Sequence, residues 1–149
     1  MKGWQIRVNG LVQGVGFRPH VWRLARRFGL HGLVLNDARG VVIELFCNAE
    51  MCRKFETALR HDAPPLARID AIDIKLLHNQ PPPAEFTIVA SLPGKADTGI
   101  TPDAATCAAC AQDIADPENR RYRYPFTNCT HCGPRLTIIN KIPYDRANT

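Results

Sequence analysis

Residues 10–18 read G-L-V-Q-G-V-G-F-R, and what flanks them decides how the chain folds. Upstream, W-Q-I-R-V-N-G alternates around Ile6 and Val8, the period-two pattern of a half-buried strand. Downstream, Pro19 suits a first helical turn, where a missing N–H removes no helical bond, and Val21, Leu24, Ala25 and Phe28 share one helical face. The stretch is therefore a strand-to-helix loop. Such a loop offers unpaired backbone N–H groups and the positive end of a helix dipole, both suited to phosphate. Gly14 and Gly16 permit a close approach that side chains would obstruct, and Arg18 can add a bidentate cationic fork. The candidate phosphate-binding residues are Gln13, Gly14, Val15, Gly16, Phe17 and Arg18. Without further context, a G-x-G followed by Arg is a weak signal that a simple tight turn explains more readily.

Moving outward, Gly29 or Gly32 ends the first helix. Leu33 to Asn36 and Val41 to Cys47, separated by D-A-R-G, read as a β-hairpin. Asn48 can cap a second helix that carries Met51, Phe55, Ala58 and Leu59 at helical spacing and closes before Pro64 and Pro65. Ile72, Ile74 and Leu76 alternate, and E-F-T-I-V-A-S supplies a final strand after the P-P-P break. The order is β-α-β-β-α-β, split at its last strand. This predicts an α+β, ferredoxin-like unit over residues 1–91, an antiparallel sheet with both helices on one face. Residues 92–102, L-P-G-K-A-D-T-G-I-T-P, have linker composition, and 103–149 form a small module with little periodicity of its own.

Composition agrees with that division. A chain of 149 residues suits one domain of about 90 residues plus a small module. Its 45% hydrophobic and 22% charged content is that of a globular protein able to bury a core. No apolar run approaches the roughly 20 residues of a membrane helix, and the N-terminus lacks a signal peptide's apolar stretch, so a cytoplasmic protein without membrane contact is expected. The net charge of +5 is concentrated in residues 1–91, where twelve Lys/Arg face eight Asp/Glu. Arg18, Arg23, Arg26 and Arg27 cluster just after the loop, suiting an anionic substrate there, although the last three also fit a solvated helix face.

Cys107 and Cys110, with Cys129 and Cys132, give C-x2-C-x18-C-x2-C. That spacing is in the range of a tetrahedral structural zinc site, and four thiolates leave no position for substrate. Disulfides and a redox C-x-x-C are the alternatives. Cys47 and Cys52 stand apart and read as buried, unreactive thiols. The run R-R-Y-R-Y-P-F beside the cysteines would allow nucleic-acid contact by a zinc ribbon. Against it, residues 92–149 carry only seven Lys/Arg against six Asp/Glu before any thiolate is counted, so nucleic acid is not the expected partner. Tyr122, Tyr124 and Phe126 are expected to pack the module instead.

The run V-Q-G-V-G-F-R, followed eighteen residues after Arg18 by Asn36 in L-V-L-N-D-A-R-G-V-V, closely resembles the acylphosphatase family over residues 4–91. The resemblance implies hydrolysis of the carboxyl–phosphate bond of acyl phosphates, with Arg18 holding the phosphate and Asn36 orienting the attacking water. Taken alone, Asn36 also fits the start of a turn. The chemistry needs positioning and charge stabilisation more than a covalent nucleophile, because a mixed anhydride has a good leaving group. His20 and His31 flank the first helix, match neither member of that pair, and read as surface or packing residues.

With P-D-A-A-T-C-A-A-C, then R-R-Y-R-Y-P-F-T-N-C-T-H-C-G-P-R-L-T-I-I and P-Y-D-R-A-N-T, the chain as a whole resembles the N-terminal part of the HypF carbamoyltransferases of nickel-iron hydrogenase maturation. That resemblance implies carbamoyl phosphate as the acyl phosphate. It also implies, in the full-length family, ATP consumption and transfer of the carbamoyl group to the C-terminal cysteine of a cyanide-carrier maturation protein. Family members continue with a second four-cysteine motif and with nucleotide-binding and transferase domains. The 149 residues are thus expected to be a fragment that cannot transfer the group alone.

Overall fold

The structure, a computed structural model, describes residues 2–78, 80–91 and 106–124. The expected strand before the glycine loop is β1 (Lys2–Leu11), and the helix after it is α1 (Phe17–Arg27). That helix buries Phe17, Val21, Leu24 and Ala25 and ends at Phe28. Beyond it the Gly29 N–H donates to Arg26 O at 3.1 Å and the Leu30 N–H to Ala25 O at 2.9 Å, the paired bonds that close a helix around a glycine. The hairpin follows as β2 (His31–Asp37) and β3 (Gly40–Cys47). Asp37 Oδ1 accepts from the Arg39 and Gly40 amides at 2.9 and 3.1 Å, so the Asp side chain builds the turn. α2 (Ala49–His61) is capped by Asn48, whose side-chain oxygen accepts from the Met51 N–H at 2.8 Å.

The long alternating run around Ile72 is β4 (Arg68–Leu77), and the short strand after the prolines is β5 (Phe86–Ile88). The sheet order is β4-β1-β3-β2-β5. The two strands therefore lie on opposite edges rather than sharing one line. β4 runs antiparallel to β1, pairing Ile6 with Ile74, whereas β5 runs parallel to β2, pairing Val34 with Ile88. The sheet is thus mixed, not wholly antiparallel as the strand pattern predicts. A period-two pattern specifies which face a strand buries, not which neighbour it joins.

Ile6, Val8, Val34, Ile43 and Leu45 meet Val21, Leu24, Phe55 and Leu59 in one core, each at most 3% exposed. Burying a side chain such as Phe55 or Leu59 contributes roughly 1.5–3 kcal/mol. Cys47 and Cys52 belong to this core, as buried thiols should. Among the described residues no helix is long and apolar enough to cross a membrane. α3 (Ala108–Ala115) is the one helix described beyond residue 91. The expected linker at 92–102 lies outside the described residues, as do Phe126, Cys129 and Cys132.

His20 bears on stability. Its ring tilts against Phe17, with centroids 6.1 Å apart, and its Nε2 is buried with no hydrogen-bond partner among the described residues. Burial pushes its pKa below 6.5, and Arg23 and Arg27 push the same way against a weaker pull from Asp62. The unfolded chain therefore binds this proton first, so the stability linked to His20 is complete above about pH 6.5 and is lost as pH falls below it. The melting temperature should drop between pH 7.5 and pH 5.5, and His20→Phe should flatten that part of the curve when melts are followed by circular dichroism.

Candidate active site

The glycine loop is anchored from beneath. Val12, Val15 and Phe17 are each 1% exposed and face the core, while Gly14 and Gly16 take left-handed conformations with φ of 71° and 76°. An L side chain is strained at either glycine, and alternation of such residues with ordinary ones curls successive N–H groups into an anion-binding concavity. Gly16 caps α1 without any side-chain hydrogen bond, and the first turn of α1 carries no acidic residue. The positive end of that helix is therefore left for an anion.

Three side chains surround this loop. Gln13 is 4% exposed, and its Nε2 donates to Asp37 O at 2.7 Å and Gly40 O at 2.9 Å, pinning the loop to both sides of the β2–β3 turn. Its side-chain amide thus serves the scaffold. Arg18 lies in the first turn of α1, and its Nη1 donates to Ser91 Oγ at 3.3 Å. Asn36, 1% exposed, alternates with the buried Gly32 and Val34 on the helix-bearing face of β2. Its Oδ1 is buried with no hydrogen-bond partner among the described residues.

These contacts bring the pieces together. Gln13 ties the loop to the turn that immediately follows Asn36. The Val89 N–H donates to Val34 O at 3.0 Å, so the chain beyond β5 runs beside the end of β2 that carries Asn36. Ser91 then ties Arg18 to that same end. An unsatisfied buried oxygen costs about 1–3 kcal/mol, and Asn36 lies opposite Val41, which pairs with Val8 of β1, at the end of the sheet from which the glycine loop leaves.

Asp37, next in sequence, is paired with Arg7 and tied into the turn. Burial raises its pKa, but hydrogen bonds from the Arg7 guanidinium at 2.6 Å and from the Arg39 and Gly40 amides more than offset this, holding it below the usual carboxylate range. His31 contacts Pro83 O through Nδ1 at the opposite end of β2, outside the site. His20 packs on Phe17, as expected for a packing residue. Gln13's tether and the Ser91 contact carry no sequence signal of their own. Both arise from chain segments far apart in sequence.

In the second module, Cys107 is the N-cap of α3 and Cys110 lies in its first turn, fully buried. A three-residue spacing puts both on one helical face, and the helix N-terminus favours thiolates. They suit half of a four-sulfur zinc site whose other half lies outside the described residues. Arg121 pairs with Asp113 at 3.5 Å and Arg123 stacks over Tyr122 at 5.3 Å, so both basic side chains have protein partners. Tyr122 and Tyr124 are 41% and 39% exposed, and Phe126 lies outside the described residues. The turn that carries them is tied back to α3, where the Arg123 N–H donates to Ile114 O at 3.0 Å and Asn119 Nδ2 to Asp113 Oδ1 at 3.1 Å.

Comparison with known proteins places the site in context. Residues 4–88 match the acylphosphatase family, and residues 106–139 match the HypF finger. The carbamoyltransferase HypF of Rhodobacter capsulatus is 54% identical over the whole chain, which spans 20% of that relative. The acylphosphatase of Mannheimia succiniciproducens is 41% identical over 46% of this chain and 77% of its own length. A crystal structure of full-length HypF in a phosphate- and nucleotide-bound form superimposes with a TM-score of 0.77 at 41% identity, covering 99% of this chain and 20% of that one.

Proposed function

The chain belongs to the acylphosphatase family, and from that premise we propose that its glycine cradle binds an acyl phosphate and hydrolyses the carboxyl–phosphate bond, with carbamoyl phosphate as the substrate. The observation that carries this reading is that the α1 N-terminus with no side-chain cap, Arg18 and the partnerless Asn36 Oδ1 belong to the same end of the sheet. The phosphate rests on the amides of residues 13–18 and on the Arg18 fork, which strengthen as negative charge builds on the equatorial oxygens. Asn36 orients a water toward phosphorus. A neutral amide cannot remove the water's proton, so the proton passes to a phosphate oxygen of the substrate itself. The phosphorus–oxygen bond to the acyl group breaks as the new one forms. Inorganic phosphate and a carboxylate, or carbamate from carbamoyl phosphate, leave.

The whole chain matches the N-terminal part of the HypF carbamoyltransferases and spans about a fifth of their length. On this reading it provides their acyl-phosphate site. ATP use and carbamoyl transfer to a cyanide-carrier protein in hydrogenase maturation then fall to the remaining length of those relatives. Cys107, Cys110, Cys129 and Cys132 would hold a structural zinc that ties the ends of the finger together. Metal analysis should find about one zinc per chain, and Cys107→Ser should lose it together with its folding contribution to the finger.

The deciding experiment is phosphate release from carbamoyl phosphate and acetyl phosphate by the 149-residue chain. Saturable turnover inhibited by inorganic phosphate supports the reading. Saturable binding with no turnover replaces it with a site that only captures the substrate.

A further inference from the structure

The family match ends at residue 88 and the finger match begins at residue 106, so Ser91 belongs to neither. Yet its Oγ accepts a hydrogen bond from Arg18 Nη1 at 3.3 Å. The contact follows from topology. β5 is three residues long and parallel to β2, and the Val89 N–H extends its ladder to Val34 O. This fixes the direction of the chain as it leaves the sheet and delivers residue 91 to the first turn of α1. We propose that Ser91 is a positioning residue that holds the Arg18 guanidinium in its anion-binding pose, making the start of the connecting segment part of the acyl-phosphate site.

The chemistry suits that role. A guanidinium carries its five N–H donors in one rigid plane, so a bond from Nη1 to Ser91 Oγ orients the whole fork. A long side chain also loses rotamer freedom when it takes up one geometry, and a protein contact made beforehand removes part of that loss from the binding step. The hydroxyl is neutral, so it orients the cation without competing for its charge as a carboxylate would.

This inference rests on the acyl-phosphate reading, and its test separates the two. Wild type, Ser91→Ala and Ser91→Thr chains are compared for inorganic phosphate affinity by calorimetry and for KM and kcat on acetyl phosphate. Ser91→Ala should weaken phosphate and raise KM by about three- to tenfold with kcat within about twofold. Ser91→Thr, which keeps the hydroxyl, should restore both. In 15N spectra of the guanidinium, Nη rotation at Arg18 should be slower in wild type and the Thr variant than in the Ala variant. Equal affinities for wild type and Ser91→Ala, with wild type active, overturn the role of Ser91 and leave the hydrolase reading standing. A wild-type chain that binds no phosphate overturns both.

Discussion

Replacing Arg18 by alanine is expected to lower kcat/KM for acetyl phosphate by about a thousandfold. Removing one preorganised donor from a site that stabilises developing oxyanion charge typically costs 10²–10³-fold, roughly 2.7–4 kcal/mol, and Arg18 contributes a formal charge as well as donors. Three of the described cations on β1 and α1 are engaged elsewhere. Arg7 is paired with Asp37, and Arg26 and Arg27 lie over the Trp22 and Phe28 rings further along α1. Arg18→Lys should recover only part of the loss, because an ammonium restores charge without the planar fork. Both substitutions should raise the inhibition constant of inorganic phosphate in parallel with KM. Unchanged turnover by Arg18→Ala would remove the cradle from the chemistry altogether.

Asn36→Ala should behave differently, and the contrast assigns the two roles. If this amide orients water rather than phosphate, kcat should fall by about a hundredfold while phosphate inhibition stays within about twofold. Stability should move the other way. Asn36 is 1% exposed with an unsatisfied Oδ1 among the described residues, so its burial costs folding free energy that alanine does not incur. The variant should therefore melt at or above the wild-type temperature, the pattern of a residue kept for activity at some expense of stability. A variant that loses activity and melts much lower would make Asn36 a structural residue instead.

How far the site could be read beforehand follows from where its information resides. Gly14, Gly16 and Arg18 are contiguous, and their strand and helix flanks are patterned, so the loop, its helix and its phosphate chemistry are legible in one dimension. Asn36 by itself reads as the start of a turn. Only its spacing from Arg18 within a recognised pattern lifts it above that. The Asn48 cap and the D-A-R-G turn are legible because each depends on side chain to backbone bonds within three residues. What escapes is long-range. The placement of β5 on the far edge depends on which strand edge remains open once β1, β3 and β2 have paired, and no local pattern encodes that choice. Gln13 reads as part of the phosphate loop, yet its side chain bonds carbonyls more than twenty residues away. Ser91 reads as the last residue of a strand, yet it meets Arg18. The scaffold contacts that align the site are thus less visible than the groups they align.

The most direct test of the cradle is a titration of inorganic phosphate into the 15N-labelled chain, followed residue by residue through its amide signals. The largest shifts are expected at Gly14 to Arg18 and at the Asn36 side-chain amide, saturating together with one dissociation constant and absent in Arg18→Ala. Shifts that fail to saturate, or that centre on the basic run Arg120 to Arg123 instead of the loop, would contradict the assignment of residues 13–18 as the phosphate site.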